Sequence, residues 1–494
     1  MRSPLFIGID IGTQGTKAVL CDDSGKLYAD AFCPSQLLHG RDNSIYQSPE
    51  DIYSSVITVI TALTQRIGPD ADRITALAID SQMAGIMGVD ESYDPVTPYD
   101  SWLDGRCGKY AEQIKAEAEE DAVTTSGGQV INSHAAKILW WKNEEPQAYH
   151  KIKSFVQPNS YAAAKLCGLT ARQAFTDYTF LHFNNFSDIL SCGYNLPLLK
   201  YFGVDKDKLP SVLSPDAIIG EVSREAAGIC GLPSGVKVIA GCGDTAASSL
   251  GAGINRKGLA YDVAGTASVF ACCTDIYAPD ISHKTLMFAR SVCRDLFTPL
   301  AYIGGGGMCL EWFSRLCKQS LPELDRQAEA VSTPIYFVPH FSGRALPYDQ
   351  NLSGAFFGIS ADTGDAELHR AIMEGIAFEY KGYLDILRRS GCLAEDTRIV
   401  GVGGGAKSSI FSQIKADVLM LPYFAPESVN SAPVACALLA GHAAGYISRP
   451  LEELFTVNME GHRAYLPDSA KAEGYRIKCE KYFSALDHYK NIKL

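Results

Sequence analysis

Residues 8–17 read GIDIGTQGTK, and they set Asp10, Gly12, Thr13, Gly15, Thr16 and Lys17 between two runs of strand formers. Leu5, Phe6, Ile7 and Ile9 favour one strand, and Ala18, Val19 and Leu20 favour the next. The turn between them is rich in Gly and Thr. Free backbone N–H groups and hydroxyls in such a turn hold phosphate oxygens. An acid at the strand end, here Asp10, could hold Mg²⁺ directly or through water. The stretch is either a phosphate-binding hairpin or an ordinary β-hairpin with a glycine turn.

A second stretch of the same kind tips that balance. GLAYDVAGTASVFACC, residues 258–273, again runs strand, Asp, Gly-Thr, small polar residue, strand. Asp262, Gly265 and Thr266 match Asp10, Gly12 and Thr13, with one residue more between Asp and Gly. Two such hairpins half a chain apart predict a duplicated architecture, each half offering one hairpin to a ligand between them. The boundary falls at GINRKG, residues 253–258, where Arg256 and Lys257 suit an exposed hinge. The expected domains are 1–255 and 256–494, with a cleft between the halves. ITALAID (74–80), VKVIAG (236–241) and TRIVGVGG (397–404) read as further buried strands. SPEDIYSSVITVITALTQRIG (48–68) reads as a helix with Ser48 as N-cap, Pro49 in the first turn and Gly68 past the end. AELHRAIMEGIAFEYKGYLDILRRSG (366–391) is a long amphipathic helix. The alternation of strands and helices predicts an α/β fold.

Bulk properties narrow the function. At 494 residues the chain exceeds one core and calls for two large domains. A formal net charge of −12 argues against a general nucleic-acid binder and against an anionic membrane surface. It leaves a local nucleotide pocket open. Fifteen scattered cysteines without a C-x-x-C read as reduced thiols in a cytoplasmic protein. APVACALLAGHAAGYI (432–447) is too short and too interrupted for a membrane span, and its small residues suit a buried helix packed closely on a neighbour.

Several residues can carry chemistry. In GCGDTAASSLGAG (241–253) Asp244 stands at a strand end before a helix, as a general base for a substrate hydroxyl or as an N-cap. In IDSQMAGIMGVDESYDPVTPYDSWLDGRC (79–107), Trp102, Asp104 and Arg106 alternate, which sets all three on one face if the segment is extended. That trio is either a polyhydroxyl-binding set or an exposed salt bridge beside a core tryptophan. YIGGGGMCLEW (302–312) and VGGGAKSS (402–409) place glycine runs between strand and helix, where backbone approaches a base or a phosphate closely.

In this order, these elements resemble the FGGY carbohydrate kinases, whose fold is the two-domain, duplicated actin/hexokinase/Hsp70-like (ribonuclease H-like) ATPase fold. The resemblance covers nearly the whole chain. DIGTQGTK and VAGTASV look like the family's two phosphate motifs, GCGDTAASSLGAG like its base segment, and VGGGAKSS like its adenosine motif. GAFFGISADTGDAELHRAIMEGIAFE (354–379) matches the C-terminal signature at Gly354, Gly358, Glu367, Ala371 and Glu374. WLDGRC and QMAG look most like the xylulokinase branch. The resemblance implies ATP and Mg²⁺ as cofactors, a small sugar as substrate, and often a homodimer. It implies that Asp244 is the base and that Asp10 lies at the metal. Thr13, Gln14 and Lys17 would form the first phosphate loop, and Gly265 and Thr266 the second. Gly307, Gly404, Gly405 and Ser409 would line the nucleotide. Gln82, Met83, Trp102, Asp104 and Arg106 would bind the sugar in the N-terminal half.

Three departures stand out. Ala84 replaces the histidine usual after the Met of the Q-M motif. His134 stands where the family has Pro, Ser or Thr, three residues before Lys137, either as a new pocket donor or as a surface histidine. NSAPVACALLAG replaces a stretch with Glu and G-A-A. They bear on which sugar is bound, not on phosphoryl transfer. An ATPase switch and a silent sugar sensor are rival readings on the same fold.

Overall fold

The computed structural model describes residues 3–40, 42–265, 267–341, 343–426, 430–456 and 463–491. The chain divides into two compact units. The first comprises residues 1–255, 288–296 and 430–456, and the second residues 256–287, 297–429 and 457–494. The main break falls at Asn255–Arg256, within the GINRKG stretch. The segments 288–296 and 430–456 depart from the expected assignment, because they pack with the first unit rather than the second.

The first unit is built on a sheet ordered Ile218–Glu221, Lys237–Ile239, Ile74–Ser81, Leu5–Ile11, Gly15–Cys21, Leu27–Pro34. Leu5–Ile11 pairs antiparallel with Gly15–Cys21 and parallel with Ile74–Ser81. It is buried on both faces, as a near-continuous apolar run requires. Leu5, Ile7, Ile9 and Ile11 enter one core, with Val56, Ile60 and Leu63 of the helix Pro49–Ile67. Phe6 enters the other, with Val434, Leu438 and Leu439 of the helix Ala432–Ala443. Gly8 is what lets that second helix lie so close. A Cβ there would stand 1.7 Å from the Pro433 carbonyl oxygen. The Pro49–Ile67 helix starts as its sequence asks: Ser48 Oγ accepts from Asp51 N at 3.1 Å, and Gly68 closes it at φ 56°.

The second unit repeats the scheme. Phe297–Ile303, Ser268–Cys272, Leu259–Ala264, Arg398–Val402 and Tyr423–Ala425 follow one another across its sheet. Leu259–Ala264 pairs antiparallel with Ser268–Cys272 and parallel with Arg398–Val402. Order and strand sense match those of the first unit, so the duplication read from the two hairpins is a duplication of topology. The helix Asp365–Arg389 buries Ile372, Ile376 and Tyr380, and Tyr380 Oη donates to Asp262 of this sheet at 2.7 Å. No helix among the described residues is long and apolar enough to cross a membrane.

Candidate active site

In the first unit the ends of three neighbouring strands converge. Asp10 is the register partner of Lys17 across the hairpin and of Asp80 on the parallel neighbour. Cys242–Gly243 also pairs with Asp80–Ser81, which brings Asp244 to the same edge. Asp244 is the first residue of the helix Asp244–Gly251, with Gly243 as N-cap. Its Oδ1 accepts from Thr245 N at 2.6 Å and from Thr245 Oγ1 at 3.2 Å. Burial, and then the charge of Asp10, push its pKa up to about 7, against the opposing Thr245 bonds. A carboxyl poised there suits a general base near neutral pH. Burial also raises Asp10, while Lys17 and a hydrogen bond with Asp80 draw it down.

The turn joins this edge to the residues read as sugar-binding. Thr13 Oγ1 donates to Gln82 Oε1 at 3.0 Å and accepts from Trp102 Nε1 at 3.1 Å. Gln82 Nε2 donates in turn to Gln47 Oε1 at 2.6 Å. Met83 is buried against Gly243, where a Cβ would lie 2.3 Å from the Met83 methyl carbon. Met83 therefore packs on the residue before Asp244. Gln14 is exposed at the turn, and its carbonyl accepts from Ser35 N at 3.1 Å.

The alternation expected of Trp102, Asp104 and Arg106 does not exist. Residues 101–107 form turns ahead of the helix Gly108–Ser126, so spacing by two does not set side chains on one face. Trp102 is half exposed, while Asp104 is buried. Arg106 grips Asp104 (2.8 Å), Asp100 (2.9 Å) and Asp42 (3.0 Å), and lies 4.2 Å over the Trp140 ring. Lys137 Nζ donates to the carbonyls of Ser101 and Asp104 at 3.0 and 2.9 Å. Asp104 and Arg106 form a salt bridge, but a buried one rather than an exposed one, and Trp102 is half exposed beside Thr13 rather than part of the core.

His134 is buried, which overturns its reading as a surface histidine. It lines a cavity with Gln157, Thr176 and Asn184, and burial pushes its pKa down to about 3, leaving a neutral ring. Sequence reasoning missed Thr179, whose Oγ1 accepts from Gly243 N at 2.9 Å and so fixes the backbone before Asp244. It also missed Asp177, which accepts from the Thr179 backbone N–H at 2.9 Å. The signal, a D-x-T turn at 177–179, is too common to single out.

In the second unit the glycine elements gather at one sheet edge. Gly307 N donates to the Gly265 carbonyl at 3.1 Å, tying the second hairpin's turn to the helix Gly306–Cys317. A Cβ on Gly405 would lie 2.6 Å from Ala264 Cβ, so this loop lies against the same turn. Gly304 and Gly404 are different: both are exposed, and a Cβ on either meets no protein atom within 4 Å. The fold leaves that space open at a helix N-terminus. Ser409 Oγ accepts from Tyr465 Oη at 3.2 Å. Thr266 lies outside the described residues. Asp262 does not copy Asp10; it is fully buried among Lys415, Tyr380 and Tyr423.

The chain matches the models of the FGGY family of carbohydrate kinases, the N-terminal domain over residues 5–251 and the C-terminal domain over 294–444. It belongs to that family, and its fold is the two-domain fold of the actin/hexokinase-like ATPases. It is an enzyme of the phosphotransferase class acting on sugars. It is 26% identical over 490 residues to the xylulose kinase of Escherichia coli (strain K12), covering 97% of this chain and 98% of that one. It is equally 26% identical, over 461 residues, to the gluconokinase of Bacillus subtilis (strain 168), covering 90% and 88%. The crystal structure of xylulose kinase from Rhodospirillum rubrum shares the fold at a TM-score of 0.89 and 24% identity, covering 99% of this chain and 100% of that one.

Proposed function

We propose that the protein transfers the γ-phosphoryl group of ATP to a terminal hydroxyl of a neutral ketose or polyol, with a ketopentose such as xylulose as the best candidate. The observation that carries this is Asp244: a carboxyl raised to about 7, bonded by Thr245, with Thr179 holding the Gly243 backbone before it, near the Met83–Gln82–Thr13–Trp102 chain. Asp244 accepts the proton of the attacking hydroxyl. Trp102 offers a ring face to the sugar, and Gln82 orients Thr13 between the sugar and the phosphate turn. Lys17 balances phosphate charge. Closely set backbone at Gly265, Gly307, Gly404 and Gly405 receives the nucleotide, and the space at Gly304 and Gly404 fits a flat ligand against backbone.

The residues also fit a divalent ion. Among the described residues no three or more His, Cys, Asp or Glu side chains form a metal cage. Mg²⁺ does not need one, because it binds through one or two carboxylates with substrate phosphates. Asp10 would hold it, and it would supply charge neutralisation on the phosphates.

A neutral sugar is favoured over a sugar acid by the charges beside Trp102. Arg106 is committed to three carboxylates and Lys137 to two carbonyls, so a substrate carboxylate would find no unspent cation in them. Fifteen free cysteines support a reducing, cytoplasmic setting.

The test is ADP release with Mg·ATP across ketopentoses, polyols, aldoses and aldonic acids, with Asp244→Ala alongside. A ketose or polyol should stimulate turnover, and the variant should lose roughly 10²–10⁴-fold in kcat. Turnover indifferent to every sugar, and equal in both proteins, would move the assignment to an ATPase switch.

A further inference from the structure

The cavity beside His134 takes no part in the phosphoryl transfer proposed above. Its walls are mostly apolar, with Ile86, Ile138 and Phe155 among them. His134 and Gln157 also line it, at 2% and 4% exposure. His134 Nε2 and Gln157 Oε1 are buried and have no hydrogen-bond partner among the described residues. Two other polar groups of the lining are spent. Tyr194 Oη donates to the Pro210 carbonyl at 2.8 Å, and Asn184 Oδ1 accepts from Phe186 N at 3.1 Å. Leaving two buried polar atoms unpaired is costly, so the pair calls for an occupant. Both side chains come from rigid elements. His134 opens the helix His134–Glu144, its ring 6.4 Å from that of Phe180 and 6.3 Å from that of Phe183. Gln157 is the N-cap of the helix Pro158–Cys167, yet its side chain makes no capping bond. The cavity has room for about one water-sized group and is partly open. Its walls are chain neighbours of the candidate site. Ile86 follows Gln82 and Met83 closely, and Phe180 and Leu181 directly follow Thr179, which holds Gly243 N.

We propose that His134 and Gln157 form a subsite that seats one hydroxyl of a neutral sugar or polyol, other than the hydroxyl that is phosphorylated, and so set which sugar is accepted. The inference rests on the reading of this unit as the sugar-binding one. The chemistry of the two atoms selects the group. A glutamine oxygen only accepts, and a neutral imidazole nitrogen that carries its proton donates. Burial keeps the His134 ring neutral. One hydroxyl answers both, donating to Gln157 Oε1 and accepting from His134 Nε2. A buried water makes about three hydrogen bonds, more than these two atoms supply. A ligand hydroxyl needs only the two, and its carbon rests on the apolar wall. A carboxylate would set its charge against the Gln157 oxygen with no cation to balance it. Buried partners of this kind reject an analogue that lacks the hydroxyl, because they are then left unpaired.

The experiment is calorimetry of sugar binding without ATP, together with KM and kcat with Mg·ATP, in the wild type, Gln157→Met and His134→Phe. The probes are xylulose, ribulose, xylitol and arabinitol, and the monodeoxy analogues of whichever binds most tightly. In the wild type one analogue should bind about tenfold or more weakly than its parent. Gln157→Met should weaken the parent by a similar factor, raising KM more than it lowers kcat. It should weaken that one analogue by no more than about threefold, since the hydroxyl and the side chain form one interaction. Equal losses for the parent and every analogue mark a structural role and overturn the proposal. Wild-type affinity for the parent in Gln157→Met also overturns it, and marks the occupant as water only. Should Gln157→Met fail to fold, the same comparison in His134→Phe, which keeps a ring beside Phe180 and Phe183, decides instead. Calorimetry needs no phosphoryl transfer, so sugar binding with this coupling but without ADP release would sink the proposed function alone. Sugar-stimulated turnover without the coupling would sink this inference alone, and a wild type that binds no sugar of the panel would sink both.

Discussion

Asp10 and Asp262 occupy matched places in two hairpins of the same topology, and their surroundings differ at each neighbour. Across its hairpin Asp10 faces Lys17, whereas Asp262 faces Phe270. On the parallel neighbour Asp10 meets Asp80, whereas Asp262 meets Gly401. That glycine matters, because a Cβ there would lie 2.0 Å from Tyr423 Oη. Its absence lets Tyr423 reach Asp262 at 2.7 Å, beside Tyr380 at 2.7 Å and the ion pair with Lys415. Asp262 is therefore compensated from every side and locks its sheet to two helices. Asp10 is partly exposed, crowded by other carboxyls, and left with charge to offer. If Asp10 has the proposed role, one framework serves stability in one unit and chemistry in the other, and the difference lies in where cations and hydroxyls are spent.

The comparison breaks most sharply on stability. Asp262→Ala strands a buried ammonium and two buried phenols, which should cost about 3–5 kcal/mol and lower the melting temperature of the second unit by several degrees. Asp10→Ala removes one of several crowded carboxyls. It should leave the melting temperature unchanged or higher while abolishing most sugar-dependent turnover. Calorimetric melting of both variants decides it. If Asp10→Ala melts as early as Asp262→Ala, the two acids play the same structural part.

Local features were the legible ones. The hairpins, the Ser48 cap and the helix ending near Gly391 are written in neighbouring residues, and they form where expected. What the sequence hid is non-local. Arg106 finds carboxylates at 42, 100 and 104, and Asp262 finds Lys415 from 153 residues away. Asp80 was quoted as part of a strand, yet its place beside Asp10 depends on the register of that strand against Leu5–Ile11. The alternation of Trp102, Asp104 and Arg106 misled because period two carries meaning only in an extended segment.

pH separates the two units by sign. Burial raises Asp244 and Asp177 in the first unit to about 7 from 3.8. A raised carboxyl contributes stability that is full below 3.8 and is lost as pH rises through about 7, because the folded form binds more protons than the unfolded one. In the second unit burial works to raise Glu379, but Arg344 and His340 outweigh it and hold the group well below 4.5. Its contribution is complete above 4.5 and is lost only in acid. Between pH 6.5 and 8 hydrogen exchange should therefore show the first unit losing protection and the second holding steady. Over the same range kcat/KM should rise, since the base must be ionised. Activity and stability of the first unit would then move in opposite directions, and a parallel rise of both would contradict the role of Asp244.

The smallest effect probes the second unit's own chemistry. With Asp262 committed to Lys415 and the tyrosines, this unit has backbone rather than a hairpin carboxylate to offer a nucleotide. Gly404 is informative because the protein itself does not demand it: a Cβ there touches nothing. Gly404→Ala should leave melting within about 1 kcal/mol of the wild type, as an exposed position permits. A methyl group in space reserved for a ligand should still weaken ADP binding several-fold in calorimetry. Gly8 is the counter-example in the first unit, where the helix Ala432–Ala443 fills the place of the Cβ and alanine should destabilise. If Gly404→Ala binds ADP as tightly as the wild type, the glycine loop belongs to turn geometry, and the nucleotide must be held elsewhere in the unit.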